Sequence, residues 1–252
     1  MYMDRALQAL QLQVDPLQRF VELFAASLDQ QELCQLNGDR GFRYEAPDVR
    51  HFCLLKAART VSALNACIEL ARGGYTQEIG TLIRTMAEFA THIEFVLDPG
   101  EEDRSNVEKY VQEFFADSRR DPAAEIKRAQ VRQGVVHESL GRRLDDFAKQ
   151  EDETGERSPA EALYSNVYRV FSNYVHGKYP EVMDMYGGTP GHFHLRGMRG
   201  TPKDAENLEM LSTYISTVAN AFVVMIQSLD LREVIKADAV VVRWFRERFE
   251  EH

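Results

Sequence analysis

Asn166, Arg169, Asn173 and His176 stand at offsets 0, 3, 7 and 10, and such spacing stacks side chains on one face of a helix. Ser172 lies beside them. At 1.5 Å of rise per residue, Arg169 and His176 are expected roughly 10.5 Å apart along the axis. The long Arg side chain can close that span onto a phosphate that the His touches. A fixed cation, an amide and an imidazole that changes charge near neutral pH make a chemically coherent set on one face. The imidazole acts as general base or acid, worth about 10²–10⁴-fold. A fixed cation beside a phosphate would stabilise developing negative charge, worth on the order of 3 kcal/mol. Arg169, His176 and Asn173 are therefore the candidate catalytic residues, with Asn166 and Ser172 in support. Ordinary interhelical hydrogen bonds would use the same side chains, and residue type alone does not separate the two uses.

A second polar stripe comprises Gln77, Thr81, Arg84, Glu88 and His92. Arg84 and Glu88 are an i,i+4 pair, which on a solvated helix face stabilises by only about 0.2–0.5 kcal/mol. In a site, Arg84 would be a second phosphate contact and Glu88 would orient Arg169 or His176. If the two stripes form a phosphate-binding cleft, its local potential is expected to be positive despite the overall charge of -10.

Other chemistries find less support. A di-iron carboxylate bundle needs Glu-x-x-His on two helices, and the chain contains no Glu-x-x-His. Glu88 and His92 have ligand spacing but no matching second helix, and His192-x-His194 has no nearby Cys or carboxylate in the sequence. Neither a phosphate-binding Gly-rich loop nor a Gly-x-Ser-x-Gly elbow is present. Cys34, Cys53 and Cys67 are isolated thiols without a CxxC pair, which suits reduced, buried cysteines better than a disulfide framework or a zinc site. No metal and no cofactor are expected.

The 252 residues carry 40 Asp and Glu against 30 Lys and Arg, a formal charge of -10, which argues against a broad basic face for duplex DNA. Mean hydropathy is -0.39. The most apolar window, 214–229, is shorter than a span needs and includes Asn220 and Gln227, so no membrane segment is expected. Met1-Tyr2-Met3-Asp4-Arg5 lacks the basic-then-apolar layout of a secretory signal, and the expected location is the cytoplasm.

The elements that must position these residues read at period 3.6 almost throughout. A first helix is expected over 4–36, with a break near Asp15-Pro16, ended by the turn cluster at 37–41. Further helices are expected over 48–72, 75–97, 101–119 and 122–150, followed by a polar linker over 151–157. Ser158-Pro159-Ala160-Glu161 reads as a capping box opening a sixth helix to Gly177. A Gly-rich loop over 178–202 follows, then helices over 203–229 and 231–250. The fold class is all-α, a helical bundle with an up-and-down core of four to five long helices and extra terminal helices. One domain is expected, with 1–47 as an N-terminal extension, 48–229 as the bundle and 230–252 as a C-terminal helix.

The run Arg169-Val-Phe-Ser-Asn-Tyr-Val-His176 resembles the Arg-x(4–6)-His motif of the HEPN superfamily. Its flank Ser-Asn-Tyr-Val-His-Gly also resembles uncharacterised bacterial families that carry an earlier Leu-x-Arg-x-x-x-Glu helix, here Leu82 to Glu88. The resemblance covers about residues 50–180. It implies a HEPN-like bundle and a metal-independent endoribonuclease of a toxin–antitoxin or antiviral-defence system. Arg169 would hold the scissile phosphate and His176 would act on the 2′-hydroxyl or leaving oxygen. It further implies a homodimer, RNA as substrate, and an antitoxin or other protein partner. The superfamily usually has a polar residue directly after the Arg, where this chain has Val170 and places its amide at Asn173. The alternative is a non-catalytic helical interaction or dimerisation module, for which Val240, Val241, Val242, Trp244, Phe245 and Phe249 of the last helix offer an apolar face.

Overall fold

The computed structural model describes residues 2–36, 39–116 and 171–249. The expected helix over 122–150, the linker, the capping box at Ser158, and residues Asn166 and Arg169 lie outside the described residues. What is described is an all-α bundle with one small hairpin.

Helix α1 (Tyr2–Ala26) buries Leu7, Leu10, Val14, Leu17, Phe20 and Phe24, a stripe at helical spacing that faces one core. The expected break at Asp15-Pro16 does not occur. Proline removes one backbone bond from a helix interior, but the stripe runs unbroken across Pro16, and its burial holds the helix together. This helix packs on α2 (Val49–Gly73) and α6 (Lys203–Ser228), so it belongs to the bundle core that the 48–229 helices build.

The expected helical stretch 32–36 is instead strand β1 (Glu32–Leu36), paired antiparallel with β2 (Asp39–Arg43). Asn37-Gly38 falls between the paired ends, the composition that two-residue hairpins favour, and Leu33 faces Phe42 across the pair.

Helix α2 starts where Asp48 accepts hydrogen bonds from the Arg50 and His51 backbone N–H groups at 2.9 and 3.1 Å. It ends at Gly74, whose φ of 75° is the left-handed conformation glycine adopts freely. Phe52, Cys53, Ala57, Leu64, Cys67 and Ile68 are fully buried on it, which makes it the hub on which α1, α3 and α6 pack. Helix α3 (Thr76–Leu97) follows directly and buries Ile79, Ile83 and Met86. Helix α4 (Gly100–Phe115) returns over α2, with Tyr110 and Phe114 set edge-on against the Phe52 ring at 5.6 and 4.8 Å.

Residues 171–175 are helical. The expected irregular loop 178–202 is more ordered than its composition suggests: it contains α5 (Tyr179–Met183) and an antiparallel bridge between Tyr186 and Phe193. Its far end docks on the α2–α3 corner, where the Met198 N–H donates to the Gly74 carbonyl at 2.7 Å.

By length and composition α6 is long and apolar enough to cross a membrane, more so than the window 214–229 suggested. Half of that apolar window is buried in the protein, with Leu211, Ile215 and Phe222 in the core and Phe222 against Phe20 at 5.6 Å. The expected last helix is two, α7 (Arg232–Ile235) and α8 (Ala239–Phe249). Asp238 causes the break, because its Oδ1 accepts from the Val240 and Val241 N–H groups at 2.8 and 3.3 Å and starts α8 anew. Val241, Trp244 and Phe245 are buried, so half of the six residues of the expected interaction face serve the chain's own core.

Candidate functional site

Helix α3 and the helical residues 171–175 meet through a glycine. The Tyr174 ring lies on Gly80, where an added Cβ would come within 2.5 Å of ring carbon Cγ. That close approach lets the α3 polar stripe reach the second segment. Arg84 is buried, at 7% exposure. Its Nε donates to Ser172 Oγ at 3.1 Å, and one terminal nitrogen pairs with Glu88 Oε1 at 2.9 Å. Arg84 of the α3 stripe thus meets Ser172, the residue beside the second stripe.

The roles differ from those expected for some of these residues. Arg84 is expected to contact phosphate, but burial and two internal partners make it a lock between α3 and the segment that ends at His176. Asn173 donates from Nδ2 to Glu181 Oε1 at 3.0 Å, and the Gln77 amide donates to the Glu181 carbonyl, so α5 is fastened to both stripes. His176 is exposed, just past the last helical residue, and its backbone N–H donates to the Ser172 carbonyl at 3.1 Å. Glu88 is half-exposed and pairs with Arg84 rather than with His176.

The described flank carries charges of both signs, with exposed Lys178 two residues past His176. Lys203 pairs with Asp184 at 2.9 Å and Glu206 at 2.6 Å, and Glu181 and Glu88 stand nearby. Arg84 and Lys203 are each matched by carboxylates. Burial pulls the Lys203 ammonium down, but hydrogen bonds to Glu206 and Asp184 outweigh it and raise its pKa. Burial pushes the Tyr174 phenol up, opposed by Lys203 and reinforced by Asp184, Glu181 and Glu206. Glu181, Asp184 and Lys203 escaped the sequence reading, because carboxylates in a Gly-rich stretch carry no periodic signal that ties them to a helix face.

Two of the cysteines match the expectation of buried small hydrophobes. Burial pushes the Cys53 and Cys67 thiols up to about 12, and Cys34 is partly exposed. No cluster of three or more His, Cys, Asp or Glu that could hold a metal occurs among the described residues.

Fold and site together define a helical bundle in which a buried arginine clamps an exposed histidine segment. Residues 50–192 match DUF5677, a family of unknown function. The match spans more than half of the chain, which belongs to that family. It takes in Arg84, Glu88, Ser172, Asn173 and His176, while α1, the hairpin and α6 to α8 lie outside it. No curated protein and no solved structure matches the chain.

Proposed function

We propose that the chain is a metal-independent endoribonuclease of HEPN type, acting as a homodimer in a toxin or antiviral-defence setting. The observation that carries the reading is the exposed imidazole of His176 on a segment pinned through Ser172 by buried Arg84. A catalytic acid–base must be reachable by substrate yet held in place, and this arrangement supplies both conditions. Arg169 is the phosphate-binding cation in this reading. Arg84, Ser172 and Glu88 act as positioning residues, and Asn173 fixes α5 rather than touching RNA. His176 takes the proton of the RNA 2′-hydroxyl as that oxygen attacks the adjacent phosphorus. A proton returns to the departing 5′-oxygen, leaving a 2′,3′-cyclic phosphate and a 5′-hydroxyl.

A second reading, a non-catalytic helical interaction module, draws on a separate observation. Carboxylates Glu88, Glu181 and Asp184 lie on the described flank, and Val175, Tyr179 and Val182 around His176 are exposed apolar side chains. Incubating the protein with mixed cellular RNA in EDTA, beside Arg169→Ala and His176→Ala, separates the readings. The nuclease reading expects fragments with cyclic phosphate ends from the wild type and none from either variant. Intact RNA after incubation with folded wild type would favour the module.

A further inference from the structure

One pair of metal-binding side chains has no part in the proposed site. His192 and His194 flank Phe193 in the arm that bridges to Tyr186. Side chains two residues apart on extended backbone project to the same side, and the two imidazole rings lie 5.1 Å apart. The backbone beneath them is fixed. The Gly187 N–H donates to the His192 carbonyl at 2.9 Å, the His192 N–H to the Thr189 carbonyl at 2.9 Å, and the His194 N–H to the Met185 carbonyl at 2.8 Å. Gly187 is required at this point, since a Cβ there would overlap the His192 ring. Among the described residues neither imidazole has a hydrogen-bond or ion-pair partner, and the rings contact each other.

Two imidazoles bound at about 2.0–2.1 Å to a tetrahedral ion hold their ring centres roughly 5 Å apart. The separation here is already that of a shared ligand shell, and rotation of two accessible rings is enough to aim one nitrogen from each at a common point. Imidazole pairs favour zinc, nickel and copper over magnesium or calcium. We propose that His192 and His194 chelate one divalent transition-metal ion, with water in the remaining positions. Asp184, a carboxylate in the same loop, is held by Lys203 and does not complete the shell. The ion sits on the 192–194 arm, beside the Gly187–Gly191 turn. It has no part in the proposed cleavage, which proceeds in EDTA, so the two proposals fail separately.

The test is calorimetric titration of the full, tag-free chain, stripped with EDTA and dialysed, with zinc chloride and separately with nickel chloride. His192→Gln and His194→Gln keep side-chain size, and thermal melts without metal verify that each variant folds. Saturable binding of about one ion per chain, weakened at least tenfold in each variant, is the expected result; two ligands of a chelate act together, so losing either removes most of the affinity. No saturable binding of either metal by the wild type would overturn the proposal. So would affinity kept within threefold when both histidines are replaced.

Discussion

At the scale of single residues, Arg84 has the most consequence. A buried cation with two charge-assisted bonds leaves Glu88 and Ser172 without their partner when it is removed. Arg84→Ala is expected to lower unfolding free energy by about 2–4 kcal/mol in urea titration. Glu88 is half-exposed, so Glu88→Gln is expected to cost less than about 1 kcal/mol in the same assay. His176 is an exposed side chain away from the core, and His176→Ala should stay within about 0.5 kcal/mol of the wild type. A structural histidine would not behave that way. The cysteines give an independent check on burial. Thiols raised to about 12 are protonated at pH 8, and only the thiolate alkylates quickly. Native protein treated with iodoacetamide at pH 8 should therefore gain one label by mass spectrometry, at Cys34, and three after unfolding. The helical spacing made the meeting of Arg84 with the 172–176 segment legible in advance. It did not reveal what holds each partner, because Glu181 reaches Asn173 from α5, an element that no periodicity announces.

At the scale of elements, two glycines fasten the 178–202 loop to the bundle. Gly74 and Gly197 have φ values of 75° and 89°, and a Cβ on either would run into backbone of the other segment. Gly197→Ala is expected to cost about 1–3 kcal/mol, from the positive φ together with the overlap. Gly188 also has positive φ but open space around it, so Gly188→Ala should cost less, and the difference between the two melts isolates the docking contact. The α7–α8 junction depends on Asp238, whose Oδ2 accepts from Arg19 of α1 at 2.9 Å. That hydrogen bond holds the Asp238 carboxyl below its ordinary value of 3.8. Because the folded value is the lower one, its contribution is present above pH 3.8 and fades as pH falls through the folded value. Asp238→Asn should therefore lower the melting temperature at pH 6, with the gap to the wild type narrowing in strong acid. The long helices were legible because each has a continuous apolar stripe and a clear stop, such as Gly73-Gly74. The hairpin was not: Leu33 and Leu36 also fit a helical spacing, and Asn37-Gly38 reads as a helix stop as readily as a hairpin turn. The α7–α8 break was hidden for a related reason. The apolar pattern runs straight through Asp238, and only its capping bonds and Arg19 disclose the interruption.

At the scale of the whole molecule, α2 is the hub, α1 and α6 close the core around it, and α3 is the long helix, among those described, whose polar stripe reaches the 172–176 segment. The formal charge of -10 has a consequence for any RNA reaction. On the described flank Arg84 and Lys203 are held by carboxylates, so phosphate attraction rests on few positive charges, Lys178 and Arg169 among them. Cleavage should accordingly lose less than tenfold in rate between 50 and 200 mM salt, against the about 10³–10⁵-fold loss in affinity of a protein that contacts many phosphates. The central claim is that His176 performs acid–base chemistry on RNA without a metal. The most direct measurement compares wild type, Arg169→Ala and His176→Ala on mixed cellular RNA in EDTA, with circular dichroism to verify folding. Cleavage by the wild type that persists in EDTA and falls at least about 100-fold in both variants is the predicted result. Folded wild type that leaves the RNA intact, or His176→Ala that cleaves as the wild type does, would contradict it.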